Sequence, residues 1–237
     1  MQIHFTLRSD RPLAIPFHYQ YQLQSALYAL LSDAGLSDFW HDGGFGGSVK
    51  FKGFCFSGLQ GKYAVNKEQR SIRFENDVSL EVRSPVFSFI DSLQRAVERR
   101  PYLTLFDTRL AVDYAALENR HLQTGRVVFN ATTPVVAHRT LEDLKTAYYS
   151  PEEPDYFIHI CENAEKKYMT VTGESPDALR LRACGPFRKT VTRYKSTWIT
   201  GYTGAFEADT SVRMAEFLYN VGLGEKNSQG FGFITAK

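Results

Sequence analysis

The sequence predicts an α+β protein made of two tandem ferredoxin-like units, each running βαββαβ. Three observations predict it. Segments with strand and helix periodicity follow that order once before about residue 120 and again after it. A mostly polar connector, Asn119 to Gly125, interrupted only by Leu122, separates the two runs and places the units at residues 1–122 and 123–237. The 237 residues are 43% hydrophobic and 23% charged, which supports a buried core and excludes a disordered chain.

The elements follow in order. Ile3, Phe5 and Leu7 alternate over Gln2 to Leu7 as a half-buried strand does. From Tyr19, the positions Leu23, Ala26, Leu27, Leu30 and Leu31 fall at helical spacing, with Tyr21, Gln24, Ser25 and Tyr28 off the stripe and Gly35 as the stop. A Gly-rich loop over Asp42 to Gly47 precedes a Phe-rich strand, Val49 to Leu59. Two strands, Ser71 to Phe74 and Val78 to Val82, are joined by Glu75-Asn76-Asp77 and read as a hairpin. Ser84-Pro85 starts a helix that Arg99-Arg100-Pro101 ends, and strands run from Tyr102 to about Leu117. In the second unit, Arg126 to Thr132 is a strand and Asp155 to Tyr168 a helix. Leu179 to Cys184 and Thr190 to Phe206 are strands, Asp209 to Val221 is a helix, and Phe231 to Thr235 is the closing strand.

No window approaches the roughly 18 apolar residues that cross a bilayer, and the first residues lack a signal peptide's apolar stretch. A cytoplasmic protein is expected, with no membrane partner. Cys55, Cys161 and Cys184 are far apart, so they form no CxxC motif and are expected to be buried thiols. His4, His18, His121, His138 and His159 show no metal-ligand spacing, and their default role is structural or solvent-facing. Neither a metal nor a cofactor is indicated.

The most specific stretch is Gly222-Leu223-Gly224-Glu225-Lys226-Asn227-Ser228-Gln229-Gly230-Phe231-Gly232, after a helix and before a strand. It fits neither the dinucleotide fingerprint nor a Walker A loop. Two readings stay open: a tight turn with positive φ angles capping a helix, or a backbone-lined loop that admits a polyanion, with Lys226, Asn227 and Ser228 as donors.

This Gly-hydrophobic-Gly, five residues, Gly-hydrophobic-Gly pattern resembles the glycine-rich loop of the repeat-associated (RAMP) superfamily, specifically the CRISPR-associated endoribonucleases that process precursor CRISPR RNA. The opening strand, Tyr21 to Tyr28, Phe54-Cys55-Phe56-Ser57 and Val128 to Val136 around Pro134 are similar to that family in the same order. The resemblance implies two ferredoxin-like folds and metal-independent cleavage within the CRISPR repeat. A ribose 2′-hydroxyl attacks the adjacent phosphate and leaves 5′-hydroxyl and 2′,3′-cyclic phosphate ends. Such chemistry needs a proton acceptor, a proton donor and stabilisation of the phosphorane charge. The positions that match the family's His, Tyr and Lys are His41, Tyr28 and Lys52. An imidazole transfers protons at neutral pH, which suits His41. Tyr28 is also placed as an amphipathic boundary residue, and Lys50, two residues from Lys52 on the same strand face, serves equally as a phosphate clamp. The Asp42 to Gly47 loop departs from the family's pattern and shifts the alignment between His41 and Lys52.

The net charge of +2 hides a cluster. Arg180, Arg182, Arg188, Lys189, Arg193 and Lys195 fall in one stretch without an acid, while Pro151 to Asp155 is acidic. With a turn at Cys184-Gly185-Pro186, the stretch reads as a one-sided basic hairpin for RNA phosphates, or as an edge hairpin protected from aggregation. The sequence therefore reads as a CRISPR repeat endoribonuclease whose RNA contacts come from this hairpin and from Gly222, Gly224, Lys226, Asn227, Ser228, Gly230 and Gly232. The alternatives are a non-cleaving RNA-binding subunit of the same superfamily and, more distantly, a two-domain small-molecule enzyme. A CRISPR interference complex and a second copy of the chain are further partners compatible with the resemblance.

Overall fold

The computed structural model describes residues 1–33, 44–46, 51–75, 77–142 and 145–237. The first unit contains β1 (Gln2–Arg8), β2 (Leu13–Pro16), α1 (Gln20–Asp33), β3 (Cys55–Phe56), β4 (Tyr63–Asn66), β5 (Ser71–Phe74), β6 (Val78–Arg83), α2 (Phe87–Arg99), β7 (Tyr102–Leu105) and β8 (Thr108–Glu118). Its main sheet is antiparallel, in the order β3-β6-β1-β8-β7. With β7 set aside as a hairpin extension, the order is that of a ferredoxin-like βαββαβ unit. β1 sits at the centre because Ile3, Phe5 and Leu7 face one side and pair across from Val82, Leu80 and Val78, all buried. That face is covered by the apolar stripes of α1 (Leu23, Leu27, Leu30 and Leu31) and α2 (Phe89, Ile90, Leu93 and Val97).

The second unit contains β9 (Arg126–Ala131), β10 (His138–Thr140), β11 (Thr146–Tyr148), α3 (Pro154–Thr172), β12 (Arg180–Ala183), β13 (Arg188–Tyr194), β14 (Thr197–Thr203), β15 (Ala205–Asp209), α4 (Val212–Val221), a 3-10 turn (Asn227–Gln229) and β16 (Ile234–Ala236). Its sheet order, β12-β15-β9-β16, repeats the first unit's order. The protein is thus α+β with tandem ferredoxin-like folds. Each α4 terminus has a sequence cause: the Ser211 side chain accepts from the Met214 amide at 3.1 Å, and Gly222 ends the helix at φ +81°. No helix among the described residues is long and apolar enough to cross a membrane.

Arg83 fastens the two units together. It is 1% exposed, donates to Tyr219 O at 3.2 Å and Ile234 O at 2.6 Å, pairs with Glu81 at 2.5 Å, and stacks on Tyr219 and Phe233. Nearby, the Met1 amine donates to Asn220 Oδ1 at 2.7 Å, and the Cys55 thiol donates to Asn220 O at 3.4 Å.

Four expectations are corrected. β5 and β6 are not a hairpin: β5 lies between β2 and β4 in a separate three-stranded sheet, while β6 is held by the apolar register of β1. The strand expected over Val49 to Leu59 reduces to Cys55–Phe56, because Gly53 turns at φ +71° and Phe51 bridges to Phe45; Val49 and Lys50 lie outside the described residues. The basic stretch is not one hairpin either, since β12 pairs with β15 and β13 pairs with β14 in different sheets. Finally, of the three cysteines Cys55 alone is buried; Cys161 is half-buried and Cys184 exposed.

Candidate functional site

Between the two units lies a cavity of about 820 Å³. Its walls hold Tyr28 and Lys52 from the first unit, and His138, His159, Lys166, Lys167, Glu225, Lys226, Asn227 and Ser228 from the second. The size is that of an ordinary ligand cleft. His41 lies outside the described residues. Two of the three residues matched by resemblance therefore meet in one place, and the glycine-rich loop forms its opposite wall.

Tyr28 reaches the cavity because it sits off the apolar stripe of α1, where Phe54 meets its ring edge-on at 6.0 Å. Burial pushes its phenol up to about 12, against a hydrogen bond with Gln24 that pulls the other way. The hydroxyl therefore keeps its proton at neutral pH. One turn earlier on α1, Gln24 donates to Ser228 O at 2.6 Å and accepts from the Tyr194 hydroxyl. This one side chain ties α1 to both the glycine-rich loop and β13.

Backbone geometry supports the turn reading of the loop directly. At Gly232, with φ +68°, a Cβ would stand 1.9 Å from Leu223 O; at Gly230 it would stand 2.9 Å from the Phe56 ring of the first unit. All four loop glycines, Gly222, Gly224, Gly230 and Gly232, are buried. The amides of Leu223, Glu225, Gln229, Gly230 and Gly232 are spent on carbonyls within the protein. Glu225, Lys226, Ser228 and Gln229 are the half-buried parts that face the cavity.

Inside the loop, Asn227 is 2% exposed and donates to Leu223 O at 2.9 Å and Phe231 O at 3.1 Å. Its Oδ1 accepts from Lys167 Nζ at 2.6 Å, and the same ammonium donates to Gly224 O. Burial pushes Lys167 down to about 7, while Glu225 and Cys55 pull it up.

Glu225 accepts from the His138 amide at 3.0 Å, from His138 Nδ1, and from His159 Nε2 at 3.2 Å. Burial alone would raise its carboxyl, but the two histidines outweigh that and hold it below the usual range. Sequence reasoning left both histidines in structural or solvent roles; the structure places them as an acid–base cluster on the cavity wall. Their positions, 21 residues apart with Glu225 distant from both, form no motif. A signal did exist for Lys167, which falls on the helical stripe of Ile160, Ala164 and Tyr168 and so had to be buried.

The six basic residues separate into two groups. Arg188, Lys189, Arg193 and Lys195 are exposed on β13 and its turn. Arg180 and Arg182 line a different cavity of about 670 Å³ beside α3, where Glu207 takes Arg182 at 2.8 Å and Asp209 takes Arg126 at 3.5 Å. The charge of Arg182 is thus compensated, contrary to the one-sided reading. Among the described residues, no group of three or more His, Cys, Asp or Glu is placed to hold a metal ion.

Comparison with known proteins gives three kinds of likeness. Residues 117–236 match the family described as CRISPR associated protein Cas6, C-terminal. The chain is 24% identical over 238 residues to CRISPR-associated endoribonuclease Cas6 1 of Methanocaldococcus jannaschii, covering 99% of this chain and 92% of that protein. Among solved structures, one described as a Cas6-related gene product from Pyrococcus furiosus superposes at TM-score 0.85 with 22% identity, covering 100% of this chain and 98% of that one. Another, described as a RAMP protein binding different RNA substrates, superposes at 0.84 with 23% identity over 100% and 99% of the two chains.

Proposed function

This chain belongs to the Cas6 family of CRISPR-associated proteins, and from that premise we propose that it is an endoribonuclease that binds precursor CRISPR RNA and cuts it within each repeat, without a metal. The observation that carries the reading is the interdomain cavity, where Tyr28 and Lys52 from one unit face Lys226 and Ser228 from the other. In this division of labour, residues 1–122 bring the reacting groups and residues 123–237 bring the basic and loop surfaces.

The reaction asks little of the protein beyond placement and charge. His41 accepts the 2′-hydroxyl proton as the 2′-oxygen bonds to phosphorus; the bond from phosphorus to the 5′-oxygen breaks, that oxygen takes a proton from water, and His41 gives its own proton to the hydroxide left behind. The products carry a 2′,3′-cyclic phosphate and a 5′-hydroxyl. Tyr28, with its raised pKa, serves as a neutral hydrogen-bond donor rather than as the base. Lys52 and Lys226 offer positive charge to the phosphorane. Exposed Arg188, Lys189, Arg193 and Lys195 on β13 and its turn supply phosphate contacts that give affinity but little sequence information.

The test uses end-labelled repeat RNA with EDTA present. The proposal predicts a single cut, lost in His41→Ala and strongly slowed in Tyr28→Phe and Lys52→Ala, with RNA affinity retained in all three. Binding without any cut by the wild-type protein would replace this reading with that of a non-cleaving RNA-binding subunit.

A further inference from the structure

The face of the β13–β14 hairpin turned away from the core carries an arrangement that the cavity chemistry does not use. Arg193 and Trp198 are direct cross-strand partners and share that face. Trp198 is 51% exposed. His18 stands edge-on to it at 5.6 Å, and His18 Nδ1 accepts from the Arg193 amide at 3.3 Å, so the indole is braced on one side and open on the other. Three residues along from His18, Tyr21 meets Tyr194 edge-on at 5.6 Å and carries Lys195 Nζ at 4.8 Å over its ring. Residues 188–204 hold four cations and no acid.

An exposed indole on a hairpin that carries four cations and no acid lacks two things at once, a flat apolar partner and negative charge. Single-stranded RNA supplies both from one strand, a base face for the ring and phosphates for the cations. A duplex hides its base faces, and an apolar protein surface leaves the cations unanswered. Placement agrees. Tyr21 and Tyr28 are seven residues apart on α1, about 10 Å along its axis, and Tyr194 lies between them, against Tyr21 and bonded to Gln24.

Building on the proposed RNA-cleaving role, we propose that Trp198, with Arg193 opposite it on the neighbouring strand, is a base-stacking site for unpaired RNA, which runs on past Tyr21 and Lys195 into the interdomain cavity. The chain has two tryptophans, Trp40 and Trp198, so a Trp40→Phe background isolates the emission of Trp198. The probe is single-stranded repeat RNA with a 2′-deoxy sugar at the cut position, which binds without being consumed.

Trp198 emission is expected to be quenched along the same curve that fluorescence polarisation gives for binding. Trp198→Ala should weaken affinity by roughly 5- to 150-fold, the loss of one stacked base, while Trp198→Phe keeps most of it. The same sequence in a duplex should bind equally to wild type and Trp198→Ala. Circular dichroism checks that the variants fold. If RNA binds but Trp198 stays unquenched and Trp198→Ala binds as wild type does, the stacking site is overturned while the nuclease reading stands. Loss of self-association in Trp198→Ala, with RNA affinity unchanged, would assign the patch to a protein contact and overturn it too. No RNA binding at all by the wild-type protein would overturn both proposals; quenching by the deoxy probe together with no cut of the unmodified repeat would overturn the nuclease alone.

Discussion

Replacing Lys167 with methionine should change how the protein's stability depends on pH, and the direction follows from the burial of the ammonium. Lys167 is 6% exposed and donates to Asn227 Oδ1 and Gly224 O at the heart of the glycine-rich loop. The variant leaves those two buried acceptors unpaired, each at a cost of about 1–3 kcal/mol. It also removes a cation whose pKa burial lowers from 10.5 to about 7. Because the folded value lies below the unfolded one, the unfolded chain holds more protons between pH 7 and pH 10.5. Wild-type stability therefore rises with pH through that window and is lost as pH falls toward 7. The limiting slope is about 1.4 kcal/mol per pH unit, so a rise from about pH 7.5 to 8.5 stabilises wild type by on the order of 1 kcal/mol relative to Lys167→Met. The Met1 amine, lowered by burial to about 6, adds its own slope at lower pH but does so in both proteins. Urea unfolding followed by circular dichroism at several pH values measures the difference. Parallel profiles for the two proteins would refute the reasoning, since they would mean that Lys167 titrates alike folded and unfolded.

Three further outcomes follow from the same geometry. Arg83→Met should cost on the order of 3–5 kcal/mol in urea unfolding, because it removes the buried cation that joins β6 to Tyr219 and Ile234 and strands Glu81; a loss under about 1 kcal/mol would show that the units hold together without it. Gly232→Ala should destabilise by more than the roughly 1–2 kcal/mol of left-handed strain, since its Cβ would meet Leu223 O at 1.9 Å, and RNA affinity measured by polarisation should fall with it. Glu225→Gln should lose about 1.5–3 kcal/mol at neutral pH, the value of a hydrogen bond to a charged group. The Glu225 contribution is complete above the ordinary carboxylate value of 4.5 and is lost as pH falls through its lower folded value, so the two proteins should converge in acid unfolding.

Both βαββαβ runs were legible in the sequence because their signals are local. The alternation of Ile3, Phe5 and Leu7 and the stripe of Leu23, Leu27 and Leu30 each report a buried face without reference to the rest of the chain. What failed was pairing. Glu75-Asn76-Asp77 has hairpin chemistry, yet β6 belongs to β1, whose three apolar residues fix its register, and β5 belongs to β2 and β4. The basic stretch failed for the same reason: a turn at Gly185 predicts adjacency, but β15 claims β12 and supplies Glu207 to Arg182. At the cavity, Tyr28 and Lys52 were named through resemblance, and the loop was singled out by its glycine spacing. His138, His159 and Glu225 were not grouped, because only the docking of α3 and β10 against the glycine-rich loop brings them together. Most Phe residues lie in the core, while Trp198 and Tyr21 lie on the surface.

The most direct measurement replaces the ribose at each position of the repeat in turn with a 2′-deoxy sugar and follows cleavage with EDTA present. One substitution should abolish the cut without weakening binding, and the unmodified RNA should leave a 2′,3′-cyclic phosphate and a 5′-hydroxyl. Cleavage that survives every substitution, or wild-type binding with no cleavage of the unmodified repeat, would contradict a nuclease that uses the RNA's own 2′-hydroxyl.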